Sequence, residues 1–317
     1  MIILSGFLLV DMIAADLPRL PAPGELIFPP NGIATSAGGH PNNVATALVR
    51  LGHRPDDITV VGAIGKDAFG QYIEGALSSM GIKVKLQKNE RPTGKTFALS
   101  QIGADRAFVS DPGANLSLSI DQVIKAIAEE RPKIFYMAGG LLGEADSRLS
   151  DAFKEARKSA ITAADIVKPY GRGYGFIKDA LPYLDLFHVN VNEGAQITGK
   201  NSGLEGAEAL VRAGVGLALV TDEKGVYAAW KGGSLRQEGF KVKVVDTTAA
   251  GDSFVAGFLE MVSKKGMPSS RDELEESLLF AQATAAVKCT GVNTTNISLE
   301  AVEALKKSEL FRRFSHP

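Results

Sequence analysis

The chain has 317 residues, 45% of them hydrophobic and 22% charged, and its 35 basic and 36 acidic side chains leave a formal net charge of −1. These proportions are those of an ordinary folded α/β unit, or two small ones, and exclude a disordered, collagen-like or coiled-coil chain. The balanced charge leaves no footprint for nucleic acid or an anionic membrane surface, and the single cysteine, Cys289, excludes an intramolecular disulfide framework and suits the reducing cytoplasm.

Residues 2–10 (IILSGFLLV) read as a buried strand. The run lacks a basic leader and is interrupted by Gly6 and followed by Asp11, so it does not read as a signal peptide. No stretch reaches the ~18 apolar residues of a membrane span. Residues 12–37 carry Pro18, Pro21, Pro23, Pro29 and Pro30 and no helical period. Val44, Leu48 and Leu51 then mark one helical face. Residues 58–64 (ITVVGAI) read as a strand. Asp67 caps a helix whose buried face is Phe69, Ile73, Leu77 and Met80, ending at Gly81.

Within 83–111, Thr96–Gln101 and Ala107–Ser110 flank Gly103-Ala104-Asp105 and read as a β-hairpin. Val123, Ile124 and Ile127 mark a third helix. Residues 133–139, 185–190 and 216–221 are near-continuous apolar runs of the kind found in parallel strands. A β-like run at 240–245 precedes a helix bearing Phe254, Val255, Phe258, Leu259 and Val262, closed by Lys264, Lys265 and Gly266. The alternation predicts a parallel sheet with helices on both faces. The excursions at about 12–37 and 83–111 predict a small β-sheet covering the end of the main one. The four histidines (His40, His53, His188, His316) are scattered and show no metal-ligand spacing.

The segment DTTAAGDSFVAGFL (246–259) carries the strongest chemical signal. Small residues Ala249, Ala250 and Gly251 let backbone N–H groups converge at a helix start, where the dipole favours an anion. Asp252 follows in the first turn, placed to take a proton from a hydroxyl beside that anion. The plainer reading is a helix capped by Asp246, with Asp252 favouring its dipole. Gly94-Lys95-Thr96 looks like the end of a phosphate-binding loop, but it runs into a strand pattern and lacks the leading glycine.

DTTAAGD resembles the C-terminal signature of the ribokinase-like (PfkB) carbohydrate kinases, usually DTxGAGD. AGGHPNNVATALVRLG (37–52) resembles their N-terminal signature, Gly6 and Asp11 repeat a first-strand spacing, and Asn190 and Glu193 reproduce an N-x-x-E motif. The likeness runs from about residue 1 to residue 300. It implies one three-layer α/β/α sandwich with a β-sheet lid, and a sugar kinase that uses ATP and Mg²⁺ on a neutral sugar hydroxyl, ribose- or fructose-like.

By the same resemblance, Asp252 is the base and Ala249, Ala250 and Gly251 form the anion hole. Asp11, Gly38, Gly39 and Asn43 hold the sugar. Asn190 and Glu193 serve the phosphates and Mg²⁺, partly through water, and Thr221 and Gly225 border the nucleotide. Asp246, with the segment TGVNTT (290–295), holds K⁺, and the lid forms a homodimer interface. Thr221-Asp222-Glu223-Lys224-Gly225 departs from the family's T-x-G-x-x-G by one residue and the middle glycine, which bears on nucleotide preference. Lys168, Arg172 and, in the hairpin turn, Arg106 are the cations considered for an acceptor phosphate. A nucleoside kinase on the same scaffold, and a regulatory protein that binds sugar or nucleotide without catalysis, are the alternatives.

Overall fold

The computed structural model describes all residues except 103–106, 292, 293, 295, 316 and 317, and omits the side chains of 309–315. The first apolar run does not form one strand. It divides at Gly6 into β1 (Ile2–Ser5) and β2 (Leu9–Leu17). Gly6 has φ +139°, and a Cβ there would lie 2.7 Å from the Ala138 carbonyl oxygen, so only glycine fits this crossing. The backbone released at the crossing is met by buried Asn115. Its Oδ1 accepts from Leu8 N–H at 2.8 Å and its Nδ2 donates to Leu8 C=O at 2.7 Å. The chain thereby leaves one sheet and enters another.

The small sheet has the order β3-β2-β6-β7, with β3 (Ile33–Gly38), β6 (Gly94–Gln101) and β7 (Ala107–Asp111). The expected hairpin is β6–β7, paired antiparallel; its Gly103–Arg106 turn lies outside the described residues. The large sheet has nine strands in the order β13-β12-β11-β10-β9-β8-β1-β4-β5. These are β4 (Ile58–Gly65), β5 (Lys83–Asn89), β8 (Ile134–Gly139), β9 (Ile161–Ile166), β10 (Leu186–Asn190), β11 (Leu217–Asp222), β12 (Gly225–Trp230) and β13 (Gly233–Glu238). All pairings from β5 to β11 are parallel, and β12 and β13 add an antiparallel edge.

Other elements also differ from the sequence reading, which did not include β12 and β13. Residues 83–89 form β5 of the large sheet, so the lid takes less of the 83–111 excursion. Residues 240–245 form no strand; the backbone of Val245 is instead tied to the Cys289 carbonyl at 2.7 Å. β9 was hidden because Thr162 and Asp165 interrupt its apolar pattern.

Helices cover both faces of the large sheet, making the three-layer sandwich. On one face, α4 (Leu149–Ala156) packs Phe153 on Phe135 with ring centroids 5.5 Å apart. On that face α5 (Val191–Thr198) sets Gly194 over Val189 and Val220, and α3 (Ile120–Glu130) and α6 (Gly203–Arg212) pack beside these helices. The opposite face carries α1 (His40–Arg50), α7 (Ala250–Lys265) and α8 (Arg271–Cys289), with α9 (Leu299–Ser315) against α8. Gly257 lets α7 and α8 meet closely, since a Cβ there would approach Thr284 Oγ1 to 2.7 Å. The remaining helix, α2 (Ala68–Ser79), lies beside β5 and the lid, and Asp67 Oδ1 caps it by accepting from Gly70 N–H.

Candidate active site

Open parallel sheets bind ligands beyond the carboxyl ends of their strands. At that edge the structure gathers Asp165 (β9), Asn190 (β10), Thr221 (β11), the start of α7 and the underside of the lid. Asp252 is buried in the first turn of α7. Its Oδ2 accepts from Asn43 Nδ2 at 2.8 Å, and its Oδ1 lies 2.6 Å from His40 Nδ1. His40 and Asn43 stand three residues apart on α1, so one helical face presents both to the carboxylate. The His40 contact lies off the line of the ring N–H, which makes it a close ion pair more than an aligned hydrogen bond.

The turn before α7 is built by Asp246, whose Oδ1 accepts from Thr248 N–H at 2.9 Å and Thr248 Oγ1 at 2.7 Å. Ala249 then takes the left-handed conformation, φ +60°, where the related signatures usually carry glycine. A non-glycine residue there costs about 1 kcal/mol or more, strain of the kind held at ligand-binding turns. Ala250 N–H is closed onto Thr247 O and Ser253 N–H onto Ala249 O. Among the described residues, the N–H groups of Ala249, Gly251 and Asp252 have no acceptor at this helix start. Of the expected Ala249–Gly251 set, Ala249 and Gly251 are thus open, Ala250 is closed, and Asp252 adds a further open group.

Gly38 and Gly39 serve close packing. The Asp11 carboxylate occupies the place of a Gly38 side chain, and a Cβ on Gly39 (φ +93°) would lie 2.2 Å from the Phe7 carbonyl oxygen. The lid's pairing sets Ser36, Asp11, Thr96 and Ser110 side by side across four strands, with Thr96 Oγ1 and Ser110 Oγ 2.9 Å apart. Burial, and then the charge of Asp252, push the Asp11 carboxyl up to about 7. Asp11 therefore faces the same charged cluster as Asp252. Ser36, Thr96 and Ser110 carried no sequence signal, because their alignment with Asp11 depends on register between strands far apart in the chain.

The N-x-x-E motif is a capping box. Asn190 Oδ1 accepts from Glu193 N–H and Glu193 Oε2 accepts from Asn190 N–H, both at 2.9 Å. Burial, then the charge of Asp165, push Glu193 up to about 7. A desolvated carboxylate held in one orientation at this edge fits a hydrated Mg²⁺, which prefers oxygen ligands and keeps its waters. Thr221 Oγ1 lies 3.0 Å from His188 Nε2, and His188 Nδ1 lies 2.8 Å from Asp165 Oδ2. This buried Asp165–His188–Thr221 chain runs directly beneath Gly251, whose Cβ position lies 3.3 Å from His188 Cε1.

Burial disfavours the charged form of both His40 and His188, but their carboxylate neighbours outweigh it. Asp252 with Asp165 and Glu193 pushes His40 up to about 9, and Asp165 raises His188. The ligand atoms of His40, Asp165 and Asp252 lie within 4.8 Å of one another. Each is already engaged: His40 with Asp252, and Asp165 with His188 and its neighbour's Ile166 N–H at 2.7 Å. The trio is a closed charge network.

A cleft of about 370 Å³ opens beside the turn before α7. Asn190, Thr221, Gly225, Phe240, Gly251 and Gln282 are among its lining. Asp222 and Gly225 pair across a tight β11–β12 turn, where Asp222 Oδ1 accepts from Lys224 N–H at 2.8 Å. That turn accommodates the shortened 221–225 segment. Gln282 donates through Nε2 to Gln237 Oε1 at 2.8 Å, and its own buried Oε1 has no partner among the described residues. Lys168 and Arg172 are exposed, and Arg106 lies outside the described residues.

At the residue expected to hold potassium, the structure shows a cation of the chain itself. Asp246 holds the ammonium of fully buried Lys288, which donates to Asp246 O and Oδ2, each at 2.8 Å. Asn293 and Thr295 of the 290–295 segment lie outside the described residues. The lysine lay on the buried stripe of α8 with Leu274, Leu278, Ala281 and Thr284, a charge at helical spacing in an apolar run.

A buried carboxylate beside an open helix start, under a lid lined with hydroxyls and a second carboxylate, defines an enzyme that moves a phosphoryl group onto an alcohol. Residues 4–301 match the model of the pfkB family carbohydrate kinases, and the chain belongs to that family. It is 25% identical over 283 residues to a ribokinase of Haemophilus influenzae, covering 87% of this chain and 88% of that one. It is 28% identical over 323 residues to fructokinase-2 of Solanum habrochaites, covering 96% and 95%. The structure of Arabidopsis thaliana ribokinase complexed with ribose and ATP superposes with a TM-score of 0.78 at 24% identity, covering 96% of this chain and 98% of that one.

Proposed function

We propose that this carbohydrate kinase transfers the γ-phosphoryl group of ATP, with Mg²⁺, to a hydroxyl of a neutral sugar of the ribose or fructose kind. The observation that carries the reading is the convergence on one carboxylate, Asp252, of Asn43, the Asp11 row and the open N–H pair of α7. Asp11, Ser36, Thr96 and Ser110 read hydroxyls by paired hydrogen bonds. Asp252 accepts the proton of the acceptor hydroxyl as its oxygen attacks the γ-phosphorus and the bond to the β-phosphate oxygen breaks, leaving ADP. Gly251 and Asp252 N–H groups, with the α7 dipole, steady the phosphoryl oxygens in transit. Glu193 and Asn190 would hold Mg²⁺ and its waters, and the ion neutralises phosphate charge when bound.

The ligand-facing side of the lid offers no cation for an acceptor phosphate among its described residues. Asp11 opposes one by charge. The lid also suits pairing between two copies. Alternation along its strands puts Ile33, Phe97 and Val109 on the outer face, all exposed. ADP release should be measured across neutral sugars, nucleosides and sugar phosphates. A neutral aldose or ketose is expected to give the highest kcat/KM. A nucleoside or sugar phosphate above every neutral sugar overturns the acceptor assignment, and ligand binding without ADP release with any acceptor overturns catalysis.

A further inference from the structure

Lys288 has no part in the chemistry above, yet it is one of the most deeply buried side chains in the molecule. Lysine is rarely taken fully out of water, because the ammonium loses its hydration, so its burial needs a compensating set of acceptors. Among the described residues, Asp246 answers that need twice over. Asp246 supplies both its carbonyl oxygen and Oδ2 at 2.8 Å, a charge-assisted hydrogen-bond distance. The other carboxylate oxygen, Oδ1, holds Thr248 N–H and Oγ1. A single carboxylate therefore connects the ammonium to the turn that sets Ala249 into its left-handed conformation. Cys289, next to Lys288, ties α8 to the start of the same turn, accepting from Val245 and Asp246 N–H groups at 2.7 and 3.3 Å. Burial pushes Asp246 upward, but the bonds from Lys288 and Thr248 outweigh it and hold the carboxyl below its usual range.

We propose that the Lys288 ammonium is a tethered monovalent cation of the phosphate-binding turn, occupying the place at Asp246 that a potassium ion would need and making this kinase independent of potassium. The inference rests on reading 246–252 as the phosphate-binding turn. The ammonium excludes a free cation twice, by filling the space between the two Asp246 oxygens and by its charge. It also fixes a positive charge at Asp246, where the turn leading to Gly251 and Asp252 begins, and so favours a bound anion there whatever the salt.

The test compares potassium chloride with tetramethylammonium chloride at equal ionic strength, reading the melting temperature of ligand-free protein, ATP affinity by calorimetry, and the rate of ADP release. For the unaltered protein all three should agree between the salts, the rate within about twofold, since a site already filled has no linkage to the ion. Lys288→Ala, which opens the space, should melt about 5–10 °C lower in tetramethylammonium, as expected when one member of a buried ion pair is removed. Potassium should restore part of that loss. A potassium-dependent rise in melting temperature or ATP affinity of the unaltered protein overturns the proposal, as does a folded Lys288→Ala variant that ignores potassium. If that variant does not fold, the unaltered protein decides. The melting readout stands even if no sugar is phosphorylated, so failure of the kinase reading is distinguishable from failure of this one.

Discussion

The pairing of His40 with Asp252 makes a measurable demand on how stability varies with pH. Replacing His40 by Gln keeps a polar side chain of similar reach and removes the charge. The imidazole is pushed from 6.5 up to about 9 in the folded chain. A raised folded value means that the contribution is fully present below about 6.5, where both states bind the proton, and is lost as pH rises through about 9. At about 1.36 kcal/mol per unit, the rise corresponds to about 3 kcal/mol, and the off-line geometry of the contact argues for about 2 kcal/mol. Other groups face the pair: Asp11 from the lid, Asp165 from β9, Glu193 from α5 and Asn43 from α1. The variant leaves all of them in place. Urea unfolding of ligand-free protein near pH 6 and near pH 10 should show a destabilisation larger at the acid end by about 2 kcal/mol. Any loss of packing against the Phe7 ring, 4.9 Å away edge to face, is the same at both ends and cancels. A deficit equal at the two pH values refutes the charge pair and leaves His40 a packing residue.

Two further outcomes follow from the cleft and the lid. With a nucleotide in the cleft that Gln282 lines, its Oε1, unpartnered among the described residues, would accept from a base amino group such as that of adenine, so ATP should be preferred to GTP by about tenfold or more, and Gln282→Leu should reduce that ratio without abolishing ATP use. Equal ratios in the two proteins would exclude the role. Outer-face substitutions Phe97→Asp with Val109→Asp should leave a monomer in sedimentation where the unaltered chain sediments as a dimer. An unaltered chain that is monomeric at high concentration counts against lid pairing.

The parallel strands at 58–64, 133–139 and 216–221 were legible as uninterrupted apolar runs, whereas the antiparallel edge strands β12 and β13 were not read. β9 was not, because its polar residues Thr162 and Asp165 serve a partner strand and the site, and burial of a polar group leaves no hydropathy signal. The division of 2–10 turned on Gly6, whose need is set by Ala138, more than a hundred residues away. Asp252, Asp11, Asn43 and Glu193 stood in recognisable local patterns. His40, Lys288, Asp165 and His188 did not, since each acts through a partner from another element, and the spacing of charges along one element does not reveal a neighbour from the next. Asp246 shows the same limit in reverse. Its motif pointed to a cation, and the cation found there belongs to the chain.

The central claim is that Asp252 takes the proton as phosphoryl passes from ATP to a neutral sugar, and one comparison tests it directly. With ATP radiolabelled in its γ-phosphate, and ribose or fructose as acceptor, label should move into the sugar with the unaltered enzyme. Asp252→Asn keeps the shape and removes the proton acceptor, so kcat should fall by at least about 10²-fold while ATP affinity by calorimetry is kept. Label in the sugar at more than half the normal rate with Asp252→Asn, or no label in any neutral sugar with the unaltered enzyme, would contradict the account.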